Sequence, residues 1–304
     1  MLDILIIGSG PAGLSAAIYG KRANLDVLVA EKEYLGTGQI AESGLVDNYL
    51  GIAEITGYEL GEKFREHAEK LGVEFYEGEA RQFEPQTDGW KVHFDNGTVL
   101  ETKTVIYCAG ATHRHLDVPG ETEYSGKGVS YCALCDGAFY KDKVAAVIGG
   151  GNTALDDALY LSEICKKVYL IHRRSEFRGS AKTLENIRSR DNIEVITGAQ
   201  VASISGEQKV NGIILKDDQK IAVDGVFIAV GMIPQTKGLK GVVSLDESGY
   251  IAADETGKTS AAGLFAAGDV RTKKFRQVVT AVSDGANAAV AAAEYLSHFA
   301  NGTG

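Results

Sequence analysis

The chain has 304 residues, 44% of them apolar and 24% charged, with 37 glycines but only 4 prolines. This length favours two domains over one, the apolar and charged fractions exclude disorder and low complexity, and a net charge of −10 argues against a nucleic-acid binder. No apolar run approaches the roughly 18 residues that span a bilayer. The N-terminus has Asp3 and no basic segment ahead of Ile4–Ile7, so it reads as a buried first strand and not as a signal peptide. These features predict a cytoplasmic protein with no membrane partner. Four cysteines in a chain of this length do not make a secreted disulfide framework.

Residues 4–7 lead into Gly8-Ser9-Gly10-Pro11-Ala12-Gly13, then a helical stretch with Leu14, Ala17 and Ile18 on one face, then a strand from Val27 to Ala30 closed by Glu31. This is a βαβ unit. Gly8 permits the tight turn, Gly10 lets backbone approach a pyrophosphate, and Gly13 lets the helix pack on the strand. Phosphates would sit at the positive end of the helix dipole. Glu31, at the end of the second strand, could accept from ribose hydroxyls. Short strands are predicted at Val73–Tyr76, Trp90–Phe94 and Val99–Leu100, with a hairpin turn at Asn96-Gly97.

Cys132-Ala133-Leu134-Cys135 runs directly into Asp136-Gly137. Two thiols at this spacing can close a disulfide, and a neighbouring carboxyl can move a proton to or from a thiolate. No second C-x-x-C and no H-x-x-x-H accompanies the pair, which argues against a structural zinc. Two buried structural cysteines remain an alternative, although Tyr131, Asp136 and Gly137 do not read as core filling. Cys108 and Cys165 are isolated and read as small buried hydrophobes.

A second βαβ unit follows: Val144–Ile148, the turn Gly149-Gly150-Gly151-Asn152-Thr153-Ala154, a helix with Leu155, Ala158, Leu159 and Ser162 on one face, and a return strand Val168–Ile171. Where the first unit ends in an acid, this one ends in His172-Arg173-Arg174, with Arg178 close behind. Guanidinium groups bind a ribose 2′-phosphate that a carboxylate would repel, so this turn suits NADPH; a solvated basic loop is the alternative. A meander is predicted over Val201–Ile204, Gly212–Lys216 and Lys220–Val223. Gly263–Val270 reads as a strand running into Gly268-Asp269. The basic segment Arg271, Lys273, Lys274 and Arg276 reads as a solvated loop, with docking of an acidic partner as the alternative, and Val282 to Leu296 as a helix burying one Ala-rich face.

Taken together, the first glycine turn, Gly38-Gln39, Cys108-Ala109-Gly110-Ala111, Cys132 to Asp136, Gly149 to Ala154 with the arginines, Gly231-x-x-Pro234, and Gly268-Asp269 with Arg276-Gln277 resemble the low-molecular-weight thioredoxin reductases over essentially the whole chain. The resemblance implies an α/β protein with two Rossmann-like three-layer dinucleotide-binding domains. The NADPH domain (115–240, with the C-x-x-C) would be inserted into a split FAD domain (1–114 and 241–304). By position, Gly8, Gly10, Pro11, Ala12, Gly13, Glu31, Gly38, Gln39, Asn48, Ala109, Gly110, Gly268, Asp269, Arg276 and Gln277 would contact FAD. Gly149, Gly151, Asn152, Thr153, Ala154, His172, Arg173, Arg174 and Arg178 would contact NADPH. The resemblance further implies a homodimer whose NADPH domain swings to present nicotinamide or disulfide to the flavin. Cys135 would be the flavin-side thiol, Cys132 the thiol that attacks thioredoxin, and Asp136 the general acid. Leu50 stands where the family usually has Pro, and Ala109 and Leu134 where Thr is common.

Three other readings share these motifs. One is a reductase of another thioredoxin-fold carrier or peroxiredoxin system, the carrier being expected as a separate chain because Met1 stands just ahead of the first strand. Another is a flavin-dependent dithiol oxidase, against which the arginine set argues. The last is a flavin-binding redox sensor without turnover.

Overall fold

The computed structural model describes residues 1–32 and 37–300. The first segment carries β1 (Leu2–Ile7), α1 (Pro11–Arg22), β2 (Val27–Glu31), α2 (Gly57–Lys70), β3 (Glu74–Glu77), β4 (Ala80–Gln86), β5 (Gly89–Phe94), β6 (Val99–Tyr107) and β7 (Ala111–His113). β1 pairs in parallel with β2 on one side and β6 on the other, giving the order β3-β2-β1-β6 before the antiparallel β5 and β4. Side chains alternate along a strand, and β1 is apolar at every position from Ile4 to Ile7 because both of its faces are covered. Ile4 and Ile6 join a core built with α1 and the C-terminal helix, while Leu5 and Ile7 join one built with Phe83, Trp90 and Val92 of the β4–β5 hairpin.

The chain then forms β8 (Val129–Ser130), α3 (Ala133–Asp136), β9 (Val144–Gly149), α4 (Asn152–Ser162), β10 (Lys167–His172), α5 (Ala181–Arg188), β11 (Ile193–Thr197), β12 (Val201–Gly206), β13 (Val210–Leu215), β14 (Lys220–Ile221), β15 (Gly225–Ala229) and β16 (Met232–Pro234). A parallel sheet runs β11-β10-β9-β15-β8, and β12, β13 and β14 make a separate antiparallel sheet. Ala145, Val147, Val168 and Leu170 face α4 and α5; Ala146, Ile148 and Ile171 face β12–β14. β17 (Leu264–Ala266) then returns to pair in parallel with β6, and α6 (Val278–Ala300) packs on α1.

Two compact units result: residues 1–112 with 233–304, and residues 113–232. Each stacks helices, a parallel sheet and an antiparallel β-layer, so the α/β architecture with one unit inserted into the other is the one the sequence predicts. The crossings fall at 112/113 and 232/233, whereas the sequence placed them at 114/115 and 240/241. The second expected boundary lies too far along because Leu239 is fully buried in the core of the first unit. β7 and β16, the strands at the two crossings, pair with each other.

Candidate functional site

In the first unit the glycine turn is shaped by backbone contacts. Gly8 has φ of +104°, and any side chain there would strike the Cys108 carbonyl; a Cβ on Gly13 would strike the Gly8 carbonyl. Gly10 is different. A Cβ there would meet nothing nearer than the Gly38 Cα at 3.7 Å, so the space in front of the α1 N-terminus is open. Pro11 occupies the first helical turn, where its missing N–H is not needed. Ala12 is buried against Gly268 and Gly285 and serves packing, since a Cβ on Gly285 would collide with the Ala12 carbonyl. Glu31 is already held: Oε2 accepts from Ser9 N (2.8 Å) and Ser9 Oγ (3.0 Å), and Oε1 from Lys32 N (2.7 Å). Its remaining lone pairs are aimed by those bonds, and Ser9, inside the glycine turn, is a contributor that the motif reading passed over.

Asp269 lies in the short 3-10 turn after β17. Its Oδ1 is the buried side-chain oxygen left without a hydrogen-bond partner among the described residues. Burial raises the carboxyl above its ordinary range, and nearby Lys273 and Arg276 pull it only partly back. A buried acceptor with no donor is a site that a ligand donor completes. Gln277 accepts from Asn48 Nδ2 at 3.1 Å. Arg276 donates to the carbonyls of Asp269 and Arg271 and lies 4.1 Å over the Tyr250 ring. Gly38 and Gly110 both have positive φ, and Gly110 and its neighbour Ala109 are half-buried, with open space where a Gly110 side chain would be. Gln39 opens the 3-10 turn that follows Gly38. The open cradle, the aimed Glu31 and the orphaned Asp269 oxygen together fit a dinucleotide.

The basic segment after Asp269 is a correction. Arg271 is not solvated: it is 3% exposed and makes a bidentate pair with Asp284, at 2.8 Å from Nε and 2.8 Å from an NH2 nitrogen. Lys273 Nζ reaches the same carboxylate at 2.8 Å, and Gly268 N donates to it at 3.0 Å. Asp284 therefore anchors the turn that presents Asp269. Sequence reading missed it because the acid sits on the following helix, beyond any local charge pattern.

In the second unit, Gly149 is pressed against the Ala229 carbonyl, and Gly151, the N-cap of α4, has nothing within 4 Å of where a Cβ would be. Ala154 is fully buried beneath Gly149. Asn152 Oδ1 accepts from Ser180 N at 2.8 Å, and Thr153 is exposed on the first turn. His172 is buried; its ring fills the space beside Gly150, lies 5.0 Å from the Phe177 ring, and contacts the Glu176 carbonyl through Nε2 at 3.1 Å. The loop carrying the arginines is stitched to the glycine turn by Arg178 N and Gly179 N, both donating to the Gly150 carbonyl. Arg173, Arg174 and Arg178 are exposed. His172 is thus placed to hold this loop, with the three guanidinium groups beyond it in solvent.

Cys132 and Cys135 form a disulfide with Cα atoms 5.3 Å apart. Cys132 caps α3, and its Sγ accepts from Cys135 N at 3.1 Å. The same donor would support a thiolate at Cys132 once the bond is reduced. Cys132 N donates to Ser130 Oγ at 3.0 Å. Burial raises the Asp136 carboxyl, and a hydrogen bond with the Ser130 side chain lowers it. Cys108 and Cys165 are buried free thiols, both pushed up by burial, Cys165 to about 11.

A disulfide beside a half-buried carboxyl, in an α/β unit with an arginine-edged glycine turn, is the equipment of a pyridine-nucleotide-dependent disulfide enzyme. A family model described as pyridine nucleotide-disulphide oxidoreductase matches residues 2–285. The chain is 42% identical to a thioredoxin reductase from Treponema pallidum over 98% of each protein. It is 40% identical to one from Bacillus subtilis, covering 97% of this chain and 94% of that one. The solved structure of thioredoxin reductase from Streptococcus pyogenes superposes with a TM-score of 0.93 at 41% identity, covering 98% of this chain and 99% of that one. The chain belongs to the pyridine nucleotide-disulphide oxidoreductase family and, within it, to the low-molecular-weight thioredoxin reductases.

Proposed function

We propose that the protein is a thioredoxin-disulfide reductase that moves electrons from NADPH, through FAD, to the Cys132–Cys135 disulfide and on to thioredoxin. The observation that carries this reading is the formed disulfide with a backbone N–H on Cys132 Sγ and a half-buried acid next in sequence.

FAD, when bound, takes a hydride from NADPH and supplies two electrons to a disulfide. Gly8, Gly10, Gly13 and the α1 N-terminus would hold its pyrophosphate and Glu31 its ribose. Asp269 would accept from it, with Gly38, Gln39, Asn48, Ala109, Gly110, Gly268, Arg276 and Gln277 around it. Gly149, Gly151, Asn152, Thr153 and Ala154 would receive the NADPH pyrophosphate, and Arg173, Arg174 and Arg178 its 2′-phosphate, with His172 as the support of that loop. Two electrons entering the Cys132–Cys135 bond break it, and a proton from Asp136 turns one of the two sulfurs into a thiol. Cys132 as thiolate attacks the thioredoxin disulfide, forming a mixed disulfide and releasing one thioredoxin thiolate. Cys135 then attacks Cys132 Sγ, which restores the internal disulfide and frees the second thioredoxin sulfur. Two protons leave on the thioredoxin dithiol, one that arrived with the hydride and one taken up from solvent, so that Asp136 ends the cycle protonated as it began. The protein would act as a homodimer in the cytoplasm; no described helix is long and apolar enough to cross a membrane.

The test measures NADPH oxidation by the FAD-loaded protein with thioredoxin, a glutaredoxin and a peroxiredoxin carrier offered in parallel. Preferred turnover with thioredoxin supports the reading. Turnover only with another carrier, or oxygen consumption with a dithiol in place of NADPH oxidation, overturns it.

A further inference from the structure

Tyr131 stands between β8 and Cys132 and is half-buried in the second unit. Three residues of the same unit hold its side chain. The ring stacks on His113, with centroids 4.8 Å apart, and His115 packs T-shaped against it at 5.5 Å. Tyr131 Oη donates to Glu121 Oε1 at 2.8 Å, and His115 Nδ1 lies 2.9 Å from Oη and 3.2 Å from the same carboxylate oxygen. Glu121 is buried and is itself fixed by backbone: Leu116 N donates to both of its oxygens at 3.0 Å, and Asp117 N to Oε2 at 2.8 Å. Burial raises this carboxyl, but the bonds from Leu116, Tyr131, Asp117 and His115 outweigh it and hold the group below its ordinary range. The hydrogens can then be placed. A phenol has one hydrogen, and it goes to Glu121. A bare His115 Nδ1 would turn its lone pair on the carboxylate, so Nδ1 carries a hydrogen and donates to Oη.

We propose that Tyr131 is a positioning residue for the redox pair: anchored on Glu121, His113 and His115, it holds the Cys132 end of the turn while α3 holds the Cys135 end. The proposal rests on the reading of Cys132 and Cys135 as the electron-carrying pair given above. At the Cys135 end, Cys135 N and Asp136 N donate to the Cys132 carbonyl at 3.2 and 3.1 Å, and Tyr160 and Leu161 of α4 lie against Gly137. At the other end the chain enters Cys132 through Tyr131, and Cys132 N donates to Ser130 Oγ at 3.0 Å. In the oxidised protein the S–S bond itself keeps the two sulfurs together. Once two electrons open that bond, the sulfurs stay close through the anchors at the two ends. The chance that two tethered thiols meet is an effective concentration, and it falls when either end is released. Two steps depend on it. Closure of the internal disulfide becomes less favourable. In the mixed disulfide, the Cys135 thiolate attacks Cys132 Sγ, forming the internal bond and expelling the thioredoxin sulfur as a thiolate, and this attack becomes slower. Reduction of FAD by NADPH precedes both steps and involves neither thiol.

The test compares Tyr131→Ala, Tyr131→Phe, His115→Ala and the double variant Tyr131→Phe/His115→Ala as FAD-loaded, full-length proteins. Two readouts are taken. The Cys132–Cys135 disulfide is equilibrated with dithiothreitol redox buffers and its open fraction is read by alkylation and mass spectrometry. The mixed disulfide with thioredoxin is read by acid quench during turnover. Tyr131→Ala should move the equilibrium about tenfold toward the dithiol, a potential about 30 mV less negative. The mixed disulfide should accumulate and kcat should fall, while the NADPH KM and the rate of FAD reduction by NADPH stay unchanged. Tyr131→Phe keeps the ring on His113 and loses Oη, so it should move both readouts in the same direction by about threefold. His115→Ala should add less than about 1.5-fold to Tyr131→Phe, because both act through one oxygen. Should the Ala variant not fold, Tyr131→Phe decides alone. A lowered melting temperature with an unmoved equilibrium and no mixed disulfide overturns the proposal, as does a shift toward the disulfide. A disulfide that NADPH leaves closed in the unmodified protein overturns the electron path beneath it, which is a distinguishable failure.

Discussion

Replacing Arg173 and Arg174 together by Ala should erase much of the preference for NADPH over NADH while leaving the fold intact. The backbone at this point is fixed without the side chains: Ala199 N donates to the His172 carbonyl and Gly198 N to the Arg174 carbonyl, each at 3.1 Å. Both guanidinium groups are exposed, and neither has an ion pair or hydrogen bond among the described residues, so truncation removes charge and little else. A hydrogen bond from a charged donor contributes roughly 1.5–3 kcal/mol. Exposure puts each at the lower end, and Arg178 remains to hold part of the phosphate. A net loss of about 1.5–3 kcal/mol for the pair corresponds to roughly 10- to 100-fold in kcat/KM for NADPH. NADH should be used as before, and the melting temperature should not move. Added salt should narrow the preference in the unmodified protein, because exposed charges are screened. The assay is steady-state kcat/KM for both nucleotides with thioredoxin as acceptor. A ratio of the two values that changes less than about twofold, or an equal loss for both nucleotides, would refute the reasoning.

Asp284→Ala leaves Lys273 without its counter-charge and Arg271 with only the exposed Glu255 carboxylate at 3.5 Å, a loss of about 3 kcal/mol that urea unfolding should register. Burial raises the Asp284 carboxyl, but its bonds to Arg271 and Lys273 outweigh this and hold it low. Its stabilising effect is therefore present above the unfolded carboxylate pKa and is lost as pH falls through the folded value. Asp157 behaves in the opposite sense: burial, then the Asp156 charge, pushes it up to about 7. The folded protein then holds a proton that the unfolded chain releases, so stability should fall as pH rises from about 4 to 7; Asp157→Asn should stabilise the protein at about pH 8 and not at about pH 4. The two glycines of the second turn should separate. Gly151→Ala enters open space, so it should keep the melting temperature and weaken NADPH. Gly150→Ala displaces the His172 ring, so it should lower both.

Both βαβ units were legible because glycine turns between apolar runs encode their own geometry. β6 was seen only at Val99–Leu100, yet it continues to Tyr107. Thr102 and Thr104 interrupt its apolar pattern, but both are fully buried, with hydroxyls bonded to the carbonyls of Thr104 and Asp3. The helix Gly57–Lys70 was passed over although Thr56 and Glu59 form a capping box that the sequence displays. β4, at the sheet edge, buries only Phe83 and exposes Arg81, Gln82, Glu84, Pro85 and Gln86, so no alternation marks it in the sequence. Among candidate site residues, Cys132, Cys135, Glu31 and Asp269 stand in motifs that the sequence displays. Asp284 does not, because its importance lies in which partners the fold brings to one carboxylate oxygen.

The most direct test of electron flow is differential alkylation of the FAD-loaded protein before and after NADPH, with the labelled peptides mapped by mass spectrometry. The account predicts that NADPH exposes two new thiols, at Cys132 and Cys135, that Cys108 and Cys165 stay unlabelled in the folded protein, and that oxidised thioredoxin removes both new labels. Reduction of FAD by NADPH without labelling of Cys132 and Cys135, or labels that persist when oxidised thioredoxin is added, would contradict it.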